Sequence, residues 1–193
     1  VDSFIDHHLM VEMTKNIDGF RLSTFMFKDR EGKLHMGPVW DYNLTLGNAN
    51  YLEGWLPTGW YHPLISSSEY AWWPRLFVDP EFVVRYRDRW HALRRTTLTT
   101  LSLTDDIDQT AALLDEAQAR NYVRWPILGL YVWPNEFIGA TYAEEVAWMR
   151  QWLIDRLAWM DAQLGPPPVF SVQGGMVPRD TLLSISTAAG DIH

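Results

Sequence analysis

The chain has 193 residues, of which 47% are hydrophobic and 11 are Trp, enough apolar material for a sizeable core and too much for extensive disorder. With 16 basic against 24 acidic residues the formal charge is -8, which disfavours a nucleic-acid partner, since phosphate backbones are met by clustered Lys and Arg. Cys is absent, so disulfides and thiolate metal sites within the chain are excluded, and no apolar run reaches the length of a membrane span.

Residues 2–14 place Phe4, Ile5, His8, Leu9 and Val11 at helical spacing, which predicts a helix leading into a loop at Asn16 and Asp18. Asp2, Asp6 and Glu12 read as solvated helix faces, and Lys15, Lys28 and Lys33 as surface lysines. Gly19 frees the backbone after that loop. The alternation over residues 20–28 predicts a strand, Asp29-Arg30-Glu31-Gly32 a turn, and residues 34–39 a returning strand. From Gly47 to Trp73 the chain is rich in Gly, Pro, Tyr and Trp without a clean period. That pattern fits a long ordered loop, either a satellite core or a stacking surface.

Helical signals dominate the remainder. Asp79 is placed to cap a helix with Pro80 at its first position, and Phe82, Tyr86, Trp90 and Leu93 recur on one face. Arg85, Arg87, Arg89, Arg94 and Arg95 then follow as a solvated helix face rather than a basic binding patch. A second helix is expected from Thr104 or Asp105 to Asn121, and a third from the capping box Thr141/Glu144 to Gly165. Pro166-Pro167-Pro168 reads as a stiff linker, followed by a strand at residues 181–185. The fold class expected is α+β and mainly helical, with a domain over 1–165 and a linker plus the start of a β-rich module over 166–193.

Chemistry concentrates at Asn16-Ile17-Asp18 and Gly37-Pro38-Val39-Trp40-Asp41-Tyr42-Asn43, two loops at the ends of one hairpin. Asp41 and Asn43 offer the hard oxygen donors that Mg²⁺ accepts, and Asp18 can orient a hydroxyl or take its proton if the loops converge. Each also has a plain structural role. Asp18 before Gly19 suits an Asx turn, Asn16 a helix end, and Asp41 the cap of a short helix near Asn43. The histidines lack metal-ligand spacing: His7 and His8 are adjacent, and His35, His62 and His91 form no zinc pattern. No Gly-rich phosphate loop or Ser nucleophile elbow occurs.

These segments, with Ser23 to Lys28, Gly47-Asn48, Trp73-Pro74-Arg75-Leu76, Asp79-Pro80-Glu81-Phe82 and Arg120-Asn121, resemble the CotH kinase family in order and spacing. The resemblance extends to about Leu164. It implies an atypical protein-kinase-like fold of which this chain is the C-terminal portion, with ATP and Mg²⁺ or Mn²⁺ as cofactors and Ser or Thr of a protein as substrate. By the same resemblance Asp18 matches the catalytic-loop Asp and Asp41 the metal-binding Asp. Asn43 stands where the family often has a second Asp, Ser23 where kinases place a metal-ligating Asn, and Asn16 and Ser23 are assigned to the cofactor.

The upstream lobe of a kinase does not fit ahead of Asp18, and the chain does not begin with Met. Both features lead to the expectation that this is a piece of a longer protein and inactive by itself. The tail, Pro168-Val169-Phe170-Ser171 with Thr181-Leu182-Leu183-Ser184, resembles the opening strands of the β-sandwich module attached to chitobiase-type exported enzymes. This implies a secreted or surface-associated parent, with contact to an extracellular polymer or surface. The competing expectation is a non-catalytic carbohydrate- or protein-binding module, for coat assembly or adhesion, that uses the aromatic loop 51–73.

Overall fold

In the computed structural model, residues 1–65, 70, 72–167, 169–172 and 176–186 are described. Helix α1 (Asp2–Thr14) contributes to two apolar clusters. Toward the first, Ile5, Leu9 and Met13 stack one turn apart and meet Phe82, Tyr86 and Trp90 of α3 (Pro80–Arg94). Leu153, Leu157, Met160 and Leu164 of α6 (Tyr142–Leu164) close that cluster. Each large side chain fully buried there is worth about 1.5–3 kcal/mol of transfer free energy, which is what presses the three helices together. In the second cluster Val11 packs with Ile17, Phe20, Met36, Ala49, Tyr61 and Trp73.

The helix ends follow the capping residues. Asp79 accepts from the Glu81 N–H at 3.0 Å with Pro80 at the first position, and Thr141 accepts from the Glu144 N–H at 3.2 Å. Gly165, at φ 68, ends α6. The helix expected from 104 to 121 is instead two, α4 (Thr100–Leu113) and α5 (Asp115–Arg124). Thr99 is the cap, accepting from the Ser102 N–H at 3.0 Å, while Thr104 lies inside α4 and bonds back to the Leu101 carbonyl. The short α2 (Trp72–Leu76) precedes α3.

The hairpin is shorter than the alternation predicts: β1 is Met26–Lys28 and β2 is Leu34–Met36, antiparallel with Phe27 opposite His35. Residues 20–25 do not extend, because the Asp18 carbonyl accepts the N–H groups of Arg21, Leu22 and Ser23 at 2.9–3.1 Å and winds the chain around itself. Pro38, without an N–H, stops β2. Met36 is buried and its N–H donates to Ser3 Oγ of α1 at 3.2 Å. By contrast Phe25, Met26 and Phe27 are all exposed, so the burial does not alternate along β1.

Three of the five arginines along α3 and its C-terminal end are engaged in ion pairs. Arg85 meets Asp2, Arg89 holds both oxygens of Asp6 at 2.6 and 3.1 Å, and Arg94 bonds Asp161 of α6. The aromatic loop turns inward. Tyr61 and Trp73 are 1% exposed, Trp60 packs edge-on against Trp159, and Tyr51, Tyr70 and Trp72 lean on the second cluster. This is the satellite core, not a stacking platform.

In the tail β3 (Val169–Phe170) pairs antiparallel with β4 (Ile185–Ser186). Of the strand expected at 181–185 only Ile185 takes part. Pro168 and the Gly174-Gly175 pair lie outside the described residues. Among the described residues no helix is long and apolar enough to cross a membrane.

Candidate functional site

The site begins at the end of α1. Lys15 adopts the left-handed conformation (φ 48, ψ 50). Its N–H donates to the Glu12 carbonyl and the Asn16 N–H to the Val11 carbonyl, the bond pair of a Schellman motif. Gly normally occupies that position, because a side chain there costs about 1–2 kcal/mol. Lys15 is held in it by its own ammonium, which donates to the carbonyls of Leu56 and Thr58 at 3.0 and 2.8 Å. The lysine read as a surface residue is therefore 0% exposed. Burial lowers it to about 8, with the Arg156 charge acting in the same direction and Glu12 and Glu53 against it.

Asn16 emerges from this turn completely buried and joins the two loops of interest. Its Oδ1 accepts from the Asp18 N–H at 3.0 Å, and its Nδ2 donates to the Asp41 carbonyl at 3.1 Å. The Asx-type bond thus belongs to Asn16 and leaves the Asp18 carboxylate for other work. One oxygen of Asp18 accepts from Arg21 at 3.2 Å, and among the described residues the other takes no bond. Asp41 is exposed, sits at φ 58, and takes no hydrogen bond or ion pair at its carboxylate among the described residues. Asp tolerates that backbone region better than most residues.

Asp41 caps no helix. Beyond it a compact loop forms, with Thr45 Oγ1 donating to the Tyr42 carbonyl, Asn48 Nδ2 to the Asn43 carbonyl, and the Leu46 N–H to the Thr14 carbonyl at the end of α1. Gly47 (φ 86) lets this loop lie on Trp152: a Cβ there would be 2.5 Å from the indole Cδ1. Gly19, by contrast, owes its place to close approach rather than to an unusual φ, since a Cβ would meet Val11 at 2.7 Å. Asn43 is exposed and Ser23 is buried beside the Asp18 turn. Asp18, Asp41 and Asn43 are oxygen donors of the kind a hard divalent cation takes, and two of the three stand open to solvent.

Beneath the site lies a buried charge hub. Glu12, read from sequence as solvated, is 0% exposed. Its carboxylate accepts from the N–H groups of Tyr61 and His62, from His62 Nδ1 at 2.9 Å and from Arg156 at 3.0 Å. Burial alone would raise its pKa, yet the His62 hydrogen bond and the charges of His8 and Arg156 hold it down at about 2. Arg156 also donates to the carbonyls of Glu12, Pro57 and Gly59.

Two of the histidines without metal spacing do come together here, as His8, Glu12 and His62 offer atoms within 4.8 Å of one another. Both Glu12 oxygens are already filled by donors, one of them a guanidinium, so this set does not have the open donors of a cation site. His8 bonds Tyr86 through Nδ1, and burial pushes it down to about 3. Sequence reasoning missed Glu12, Lys15 and Arg156. The one local signal is at Glu12, a single charge within the apolar run Leu9-Met10-Val11-Glu12-Met13.

A cavity of about 700 Å³ adjoins the second loop, walled by α4, α6 and residues 42–48. The family profile of the CotH kinase protein matches residues 1–160. The chain belongs to the CotH kinase family. No curated protein and no solved structure matches it. Family membership agrees with the mixed, mainly helical architecture and its small hairpin, and gives the CotH chain a kinase-like fold.

Proposed function

We propose that the Asp18–Asp41 region transfers the γ-phosphoryl group of ATP to Ser or Thr of a protein substrate in the protein that carries this CotH chain. Asp18 accepts the hydroxyl proton as the substrate oxygen bonds to the γ-phosphorus and the bond to the departing ADP breaks. Asp41 and Asn43 hold Mg²⁺ or Mn²⁺, which when bound neutralises phosphate charge. Asn43 brings no charge of its own, so the site is less anionic than one with two carboxylates. Arg21 orients Asp18, and Ser23, whose N–H bonds the Asp18 carbonyl in the same turn, contacts the cofactor. Asn16 has both ends of its amide engaged inside the protein and acts as a positioning residue rather than as a cofactor ligand.

The observation that carries this reading is the Asn16 bridge. One buried amide fixes the backbones of both aspartates, which is how a site made of two loops is kept in register. The alternative of a binding surface on loop 51–73 has little support, since Tyr61 and Trp73 are core residues and the other described aromatics of the loop are not exposed. The test is transfer from labelled ATP by the full-length protein in Mg²⁺ or Mn²⁺. Asp18→Asn and Asp41→Asn each lower incorporation by about 10²-fold or more, with circular dichroism unchanged, whereas Asp29→Asn in the hairpin turn does not. Equal incorporation in all variants rejects the assignment.

A further inference from the structure

The connection between α5 and α6 carries a surface that takes no part in the proposed phosphoryl transfer. From Trp125 to Asn135 eleven consecutive residues hold no charge. Trp125, Leu130, Tyr131 and Trp133 are each more than half exposed, and Ile127 and Val132 are also open to solvent. The segment is nevertheless held in one shape. The Gly129 N–H donates to the Gly139 carbonyl at 2.8 Å, Asn50 donates to the Pro134 carbonyl and to the Tyr131 hydroxyl at 2.9 Å each, and Tyr51 stacks on Trp133 at 5.9 Å. An apolar surface fixed in this way loses little freedom when it is covered.

Size and borders narrow the choice of partner. The exposed parts of the three aromatics alone come to roughly 300–450 Å², close to half of the about 800 Å² that each partner gives to a standard interface, and Ile127, Leu130 and Val132 add to it. In sequence Arg124 stands at one border of the strip and Glu136 at the other. Both are exposed, and neither has an ion-pair partner among the described residues. A two-fold pair brings residue i of one copy to residue j of the other and j to i, so one antiparallel placement of two strips sets each Arg124 against the other copy's Glu136. Other partners fit less well. An anionic bilayer is met by clustered Lys and Arg, and the strip is bordered by a single cation on a chain of charge -8. A sugar needs free polar groups beside the rings, and the Asn50 amide is already spent on Tyr131.

We propose that residues 124–136 form the interface of a homodimer, with the two uncharged strips packed on each other and Arg124–Glu136 pairs at both ends. The charge of -8 on each copy opposes association over most of the surface, and the strip is where two copies approach at the least electrostatic cost. Its Trp and Tyr side chains are of the kind that carry most of the binding energy once water is excluded. Pairing uses neither Asp18 nor Asp41, so it stands or falls independently of phosphoryl transfer.

The experiment is sedimentation equilibrium of the full chain across the micromolar range, without ATP. A monomer–dimer equilibrium is expected. Trp125→Asp and Leu130→Asp, both at exposed positions, each weaken it about tenfold or more with circular dichroism unchanged, whereas Val84→Asp on the exposed side of α3 does not. Arg124→Glu and Glu136→Arg each weaken it about tenfold, because each sets two like-charged pairs across the axis. The double variant regains the dimer, and an equimolar mixture of the two single variants pairs where neither does alone. A monomer throughout the range overturns the inference, including one that binds phosphatidylcholine vesicles or a polysaccharide. So does a dimer that Leu130→Asp leaves unchanged, or one in which the charge swap gives no recovery.

Discussion

Two groups of charges differ in what surrounds them. Glu12, Lys15 and Arg156 are each 0% exposed, and every one is met by several hydrogen-bond partners. Asp18 and Asp41 lie at or near the surface, and among the described residues one oxygen of Asp18 and both of Asp41 are unoccupied. A buried charge is tolerated only when its hydrogen-bonding capacity is filled, and once filled it has nothing left for a substrate. The hub is therefore scaffolding, and the open carboxylates are where chemistry is available.

The sharpest way to break this contrast is Arg156→Met. It leaves the Glu12 carboxylate buried without its guanidinium and should cost about 3–5 kcal/mol, read as a lower midpoint in urea denaturation. Gly47→Ala comes next: the methyl collides with Trp152 in a backbone region that disfavours it. A loss of about 1–3 kcal/mol is expected, with the Tyr42–Asn48 loop displaced. Asn16→Ala removes the bridge, for about 1–3 kcal/mol of stability. It also lowers phosphoryl transfer, where a hub substitution with the same stability loss does not.

Acid separates the two regions as well. His8 sits at about 3 in the fold against an ordinary 6.5, so between those values the unfolded chain binds the proton and the fold does not. Stability then falls as pH drops from 6.5 toward 3. Burial lowers His7 in the same direction. Glu12, at about 2 against 4.5, is ionised in the fold while protonated in the unfolded chain, so its contribution is present above 4.5 and is lost as pH falls toward 2. Thermal melting followed from pH 8 downward should begin to fall near 6.5, and His8→Gln should flatten the upper part of that decline. Asp18→Asn is the smallest in stability, since its partly exposed pair with Arg21 is worth about 0–1 kcal/mol. A loss as large as that of Arg156→Met would place Asp18 in the scaffold.

Much of the helical frame is legible in the residues. Asp79-Pro80, Thr141 with Glu144, and Gly165 act locally, through bonds to the nearest turn, so reading them needs no tertiary information. The break at Leu114 and the early start at Thr99 were not legible, because several Thr and Asp residues in 99–106 are equally able to cap and only packing selects among them. The strand over residues 20–25 was misread for a related reason. Its alternation is real, but the Asp18 carbonyl draws three N–H groups and the segment turns.

Glu12 and Lys15 were placed on the surface because charge on a helix usually means solvent. Their partners, His62, Arg156 and the carbonyls of Leu56 and Thr58, lie far off in the chain and carry no pattern that joins them to α1. The sequence by itself determined the start of α3, both ends of α6, the existence of the hairpin and the two aspartates that flank it, since these depend on capping, turn chemistry and residue type within a few positions. Tertiary structure alone decided which charges are buried, that Asn16 ties the Asp18 and Asp41 loops together, and that a cavity opens beside them. Burial and long-range hydrogen bonds depend on which distant segments meet, and that is fixed only when α1, α6 and the aromatic loop pack.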